Sequence, residues 1–199
     1  MELRGEQRVE SDLAPAPRKT MVSSRSFGAK VTALSALREA VAWHASSAAA
    51  RLRAEGLLAG GVSVFIDTGF HAEAPFRAGA AAELARPSSA SSELAAAARR
   101  ALEACYRPGP LYAKCGVTLF GIVGRAEARA MRGGLFRDEP DPRPDLLMRA
   151  VDAVTAKHGK GAIRLLSEGR GTEPFWAMRR RRLSGLSTTD WDSLPRVKA

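Results

Sequence analysis

The hydrophobic pattern of this chain changes period several times, and each change marks an element. From Met21 to Gly28 a run with Val, Ser and Phe closes on a glycine, which suits a short strand. Leu34, Leu37, Val41, Ala45, Ala48 and Leu52 then recur three and four apart, with Arg38, Ser46, Arg51 and Glu55 off the stripe, and this predicts a long amphipathic helix. Gly56 and the pair Gly60-Gly61 read as its end, and Val62–Thr68 as a second strand with Val62, Val64 and Ile66 on one face. Past Gly69 and Pro75 a weaker strand is expected around Ala80–Arg86, with Ala82 and Leu84 inward and Glu83 outward. Pro87 and the serines from Ser88 to Ser92 supply a stop and an N-cap region for a helix from Glu93 to about Tyr106, burying Leu94, Ala98, Ala101 and Cys105. Pro108-Gly109-Pro110 breaks that helix. Lys114–Ile122 is the clearest strand: Cys115, Val117 and Leu119 alternate inward, and Lys114, Gly116 and Thr118 share the other face.

Strand, helix, strand, strand, helix, strand is the order of a split βαβ, or ferredoxin-like, α+β domain: one four-stranded sheet with two helices on one face and the other face open. It occupies residues 21–124. Residues 1–20, which carry Pro15 and Pro17, read as a tether. Gly133-Gly134 and Pro140, Pro142 and Pro144 mark residues 125–144 as a linker, although Arg125 to Met131 has the composition to extend helically. Residues 145–199 read as a small α/β domain. There Leu147, Ala150, Val151 and Val154 form a helical stripe, Gly159 and Gly161 a turn and Ile163–Leu166 a strand candidate. Phe175, Trp176, Met178, Leu183, Trp191 and Leu194 are candidates for its core.

Charge narrows the class of partner. Across 199 residues, 31 Lys and Arg stand against 21 Asp and Glu, a formal net charge of +10, so a polyanion is the leading candidate. Twelve basic and seven acidic residues fall between Asp141 and Ala199. Arg25, Lys30 and Lys114 are the candidates for phosphate contacts, Ser24, Ser26 and Thr118 add hydroxyls, and Gly116 lets a backbone amide come close. Arg25 shares strand parity with Phe27, so either Phe27 lies at the sheet margin or Arg25 is off the open face. Arg179–Arg182 reads either as a second phosphate patch or as the solvated end of a helix, and Trp176 and Trp191 either as base-stacking groups or as core.

No metal or other cofactor is expected. Asp67 ends a strand alone, Asp138, Glu139 and Asp141 lie in a proline-rich linker, and His44, His71 and His158 are far apart. Cys105 and Cys115 are too few for a disulfide framework and read as reduced structural residues. Without an apolar N-terminal segment or a run of about 18 apolar residues, the expected location is the cytoplasm, away from membranes.

Ser24-Arg25-Ser26-Phe27-Gly28 resembles the start of the little-finger domain of Y-family DNA polymerases, within the UmuC-type branch. Phe65-Ile66, Arg100-Ala101-Leu102, Tyr112-Ala113-Lys114-Cys115-Gly116-Val117 and Leu135-Phe136 follow in the same order and spacing. Leu147-Met148, Asp152, Ala156-Lys157, Gly159-Lys160-Gly161, Trp176, Met178, Leu183-Ser184 and Leu194-Pro195-Arg196-Val197-Lys198 resemble the small domain of unknown function that closes many UmuC-type proteins. Met1 to Gly5 is similar to the last residues of a polymerase thumb.

The resemblance implies a fragment that grips template–primer DNA in SOS translesion synthesis without the palm. Polymerase chemistry needs two metals on rigid carboxylates, so the expectation is a non-enzyme, or one part of a split polymerase. The partners implied are damaged or primer–template DNA, a separately encoded polymerase core, an SOS accessory protein and the sliding clamp. Clamp binding would fall to Leu135 and Phe136, which stand where the family carries a glutamine-led motif ending in Leu-Phe, but Arg132-Gly133-Gly134 replaces its leading residues. The competing expectation is a protein-interaction module that acts on a polymerase, a clamp or another SOS partner without binding DNA. A sheet face on which Arg25, Lys30 and Lys114 converge favours the first reading, and their separation favours the second.

Overall fold

The computed structural model describes residues 18–130, 143–169 and 176–178. In chain order the elements are β1 (Thr20–Val31), α1 (Leu34–Ala54), β2 (Leu57–Asp67), β3 (Arg77–Ser88), α2 (Ser91–Cys105), β4 (Tyr112–Gly124), α3 (Arg125–Ala130) and α4 (Arg143–His158). A 3-10 turn follows at Leu166–Glu168. The sheet order is β1-β4-β2-β3, with every neighbouring pair antiparallel. Both βαβ units are therefore split. β4 runs between β1 and β2, and β2 runs between β3 and β4, as the α+β reading requires.

α1 and α2 cover one face of the sheet. Leu37, Val41 and Leu52 from α1, Leu94 and Leu102 from α2, and Val62, Val64, Ile66, Cys115, Val117 and Leu119 from the central strands form one buried cluster. Alanines make up much of the rest: Ala45, Ala48 and Ala49 on α1, and Ala97, Ala98 and Ala101 on α2. Small side chains let two helices lie close above a four-stranded sheet, and a core filled this way has little slack.

Several boundaries differ from the sequence expectation, each for a local reason. α1 ends at Gly56 alone, whose φ of 70° reverses the chain directly into β2. Gly60 and Gly61 lie inside β2, where the pairing with β3 shifts register between Ala59 and Gly61. The ring of Phe120 occupies the space a Cβ on Gly61 would need, and Gly60 lies against the backbone of Gly121. Those glycines answer to β4, not to the helix end. α2 starts at Ser91 with Ala90 as its uncapped N-cap, while the Ser88 hydroxyl accepts the Ala90 N–H at 3.1 Å.

Beyond β4 the expected linker begins as α3, and α4 starts at Arg143, inside that segment. The α4 stripe is rotated from the expected one: Met148 is buried, whereas Leu147 is exposed and Ala150 faces outward with it. Ile163–Leu166 makes no strand among the described residues, and the chain instead enters the 3-10 turn.

This C-terminal region rests on the helix layer. Arg53, on α1, donates two hydrogen bonds of 2.7 Å to the Asp152 carboxylate on α4, and others to the Ser89 carbonyl and the Ser91 hydroxyl at the start of α2. Trp176 is 3% exposed and meets Phe27 and Trp43 edge to face, at 6.1 and 6.0 Å between ring centroids. Its carbonyl accepts the Gly28 N–H at 3.0 Å. Trp176 is thus a packing residue against the first domain. Trp191 and Arg179–Arg182 lie outside the described residues, as do Leu183 and Leu194.

Two stability predictions follow from this layer. Ala98→Leu forces a branched side chain into the closely packed core under α2 and should cost about 1–3 kcal/mol in urea denaturation, whereas Ala96→Leu, on the exposed side of α2, should stay within about 0.5 kcal/mol. His44 is buried beside Trp43 and Trp176, with Nδ1 3.0 Å from the Ser23 hydroxyl, and burial holds its pKa at about 4, helped by the nearby Arg25. The unfolded chain takes up the His44 proton first, near its usual 6.5, so the neutral imidazole's contribution is complete above that pH. It drains away as pH falls from about 6.5 toward about 4, by an amount on the order of 3 kcal/mol. Denaturation of the His44→Gln variant should show a correspondingly shallower loss of stability between neutral pH and about 4.5.

Candidate nucleic-acid interface

Strand register assigns each candidate residue to a face. On β4 the buried Cys115, Val117 and Leu119 point to the helices, so Lys114, Gly116, Thr118 and Phe120 point to the open side. Ser26 stands opposite Lys114 and Ser24 opposite Gly116, which brings β1's two hydroxyls onto that side. From β2, Asp67, Phe65, Ser63 and Gly61 are the partners of Lys114, Gly116, Thr118 and Phe120. From β3, Arg77, Gly79, Ala81 and Glu83 continue the four rows. Ser24, Ser26, Lys114, Gly116 and Thr118 therefore do share one face.

Arg25 does not share it. Its partner is Cys115, so it projects to the helix side of the edge strand, near His44. The tension between Arg25 and Phe27 resolves in that direction: Phe27 packs against the core and Trp176, and Arg25 keeps its parity. Lys30 is exposed near the far end of β1, inside the stretch from Ser26 to Val31 where the pairing with β4 shifts register. The three proposed phosphate cations thus do not converge.

Gly116 serves a different purpose from the one its sequence position implied. The space its missing Cβ leaves is filled by the Phe65 ring and the Ser24 side chain. The glycine makes room for an aromatic side chain on the next strand, and its backbone is covered. Over that spot, the Lys114 ammonium lies 5.7 Å and the Arg77 guanidinium 5.6 Å from the centroid of the Phe65 ring. Asp67 lies between the two cations in the same row, and its Oδ1 accepts the Gly69 N–H at 2.5 Å. Glu83 sits at the other end of the face, opposite Gly61, as its outward parity predicted.

Phe65 and Arg77 were absent from the sequence candidates. Parity on β2 exposes Phe65 once Val64 and Ile66 are inward, so that signal was present. Arg77 was hidden because β3 begins three residues before the expected Ala80. Leu135 and Phe136 lie outside the described residues. Among the described residues no group of three or more His, Cys, Asp or Glu side chains is placed to hold a metal ion, and no helix is long and apolar enough to cross a membrane. Cys105 and Cys115 are both free, and burial pushes the Cys115 thiol up to about 12, which keeps it protonated.

Comparison with known proteins gives this face a lineage. Residues 18–132 match the impB/mucB/samB family C-terminal domain, and residues 145–197 match a domain of unknown function, DUF4113. Protein SamB of Salmonella typhimurium is 36% identical over 99% of this chain and 46% of its own length. Protein ImpB and Protein UmuC of the same species are each 37% identical, over 98% and 99% of this chain and 45% and 46% of their own lengths. The chain spans about half the length of the curated relatives it matches. The element order, the open sheet face and the match over residues 18–132 place the chain in the impB/mucB/samB family, the UmuC-type relatives whose C-terminal domain it carries.

Proposed function

We propose that this chain is the DNA-holding part of a Y-family, UmuC-type translesion polymerase, acting in the SOS response to DNA damage in the cytoplasm and adding no polymerase chemistry of its own. The observation that carries the reading is a sheet face clear of both main helices, lined with hydroxyls and with Lys114 and Arg77 on either side of Phe65. Cations and hydroxyls on a broad surface serve phosphate oxygens without regard to sequence. The net charge of +10 adds long-range attraction for a polyanion. The chemistry belongs to a palm, encoded with this segment or separately, and the remaining partners proposed are an SOS accessory protein and the sliding clamp, the latter through Leu135 and Phe136.

A second reading has a specific observation behind it. Arg25 and Lys114 point to opposite sides of the sheet, and Asp67 and Glu83 offset Lys114 and Arg77 on the open face. A module that binds another protein of the polymerase assembly needs no positive sheet. Fluorescence anisotropy with labelled primer–template duplex separates the two, because phosphate binding falls steeply with salt. The DNA-holding reading expects a Kd of roughly 10⁻⁴–10⁻⁶ M at physiological salt with no sequence preference. An absence of binding at low salt favours the protein-interaction module.

Residue variants sharpen the same assay. Lys114→Ala removes an open-face cation and leaves the inward Cys115, Val117 and Leu119 in place, so the slope of log affinity against log salt should fall by about 0.9. Arg25→Ala, on the helix side, should leave that slope unchanged. In a primer-extension assay with Mg²⁺ or Mn²⁺ the chain alone should add no nucleotide, and any extended primer overturns the non-catalytic part of the proposal.

A further inference from the structure

Phosphate binding does not account for the aromatic residue at the centre of the open face. Phe65 has its ring on the side opposite the helices, half-buried, in a row where both neighbouring strands carry glycine: Gly116 on β4 and Gly79 on β3. No side chain from either neighbour rises beside the ring in that row, and the ring leans over Gly116. In the next row toward the strand ends stand Lys114 and Arg77, on the strands at either side of β2, with their charged groups 5.7 and 5.6 Å from the ring centroid. In the row on the other side are Thr118 and Ser63, and Ser24 completes Phe65's own row.

We propose that Phe65 is a stacking platform for an unpaired base of single-stranded DNA, with Lys114 and Arg77 holding the phosphates that flank it. The proposal rests on the DNA-holding reading and adds to it a ligand that backbone contacts do not recognise. Every base has a π-face, so an aromatic ring on a sheet accepts bases without regard to identity, and the neighbouring cations supply the strand's electrostatic attraction. Both cations stand near the roughly 6 Å limit of a cation–π contact. Moving them onto phosphates therefore gives up little and uncovers the ring. A base inside a duplex is stacked between its neighbours, so the occupant is the single-stranded part of a template.

The acidic groups on the face fix where the base sits. Asp67, in the cation row, has one carboxylate oxygen engaged by the Gly69 N–H and leaves Lys114 and Arg77 in excess there. Glu83 lies opposite Gly61, four residues along β2 from Phe65, or about 13 Å at the usual strand rise. It repels a strand at the end where Phe120 covers Gly61. Phe65, and not Phe120, is the platform.

The test uses the full chain and fluorescence anisotropy with three labelled probes: an oligothymidine of about a dozen nucleotides, an abasic strand of the same length, and a duplex. The oligothymidine should bind roughly five- to a hundredfold more tightly than the abasic strand. Phe65→Leu should close that gap without changing affinity for the abasic strand or the duplex, and Phe65→Trp should preserve it. Equal binding of oligothymidine and abasic strand by the natural protein, or a gap that survives in a folded Phe65→Leu variant, overturns the stacking site while leaving the phosphate reading intact. Should Phe65→Leu fail to fold, a gap in the natural protein that Phe65→Trp keeps supports the proposal, and one that Phe65→Trp abolishes overturns it. Failure of all three probes to bind overturns the DNA-holding reading and the stacking site together.

Discussion

β4 is the strand on which the rest of the structure depends, because it is hydrogen-bonded on both sides and its parity is therefore shared with β1 and β2. Burying Cys115, Val117 and Leu119 under two helices commits Lys114, Gly116, Thr118 and Phe120 to the open side. The same choice sends Ser24 and Ser26 outward with them and Arg25 inward. A shift of one residue would exchange the two sets at once. The surface offered to a partner is thus a by-product of where the apolar residues of one central strand have to go.

Glycines on this sheet work in pairs with aromatic rings. Gly61 accommodates Phe120 and Gly116 accommodates Phe65, each across a β2–β4 rung. A glycine in a strand weakens it through lost packing and greater chain freedom. Here the neighbouring ring covers the gap and restores apolar contact, which leaves two aromatic side chains on a face shared with hydroxyls, charges and the small apolar Val22 and Ala81.

Most of the domain was legible from periodicity. The stripe from Leu34 to Leu52 and the alternation on the last strand are each long enough to establish type and facing, and the order of elements then leaves few ways to close a four-stranded sheet. The errors fall where periodicity is silent. Gly60-Gly61 reads as a helix stop only while Phe120 and Gly121, sixty residues away in sequence, are out of sight. Ser24-Arg25-Ser26 is polar on both parities at a sheet edge, so only its pairing to Cys115 tells which face Arg25 takes. On α4, Leu147 and Ala150 belong to a plausible stripe, but docking to α1 through Asp152 selects the neighbouring face and buries Met148.

Arg53 makes the joint between the two regions an electrostatic latch. Its side chain is only 8% exposed, and one guanidinium grips the α4 carboxylate together with two oxygens at the start of α2. Without the Asp152 carboxylate, and with α4 still docked, that cation would keep its neutral partners and lose its counter-charge while shielded from most of the solvent, a state that buried cations resist. The docking of α4 at this point therefore depends on the charge at position 152, and an uncharged residue there would leave the same contact with a shielded, uncompensated cation.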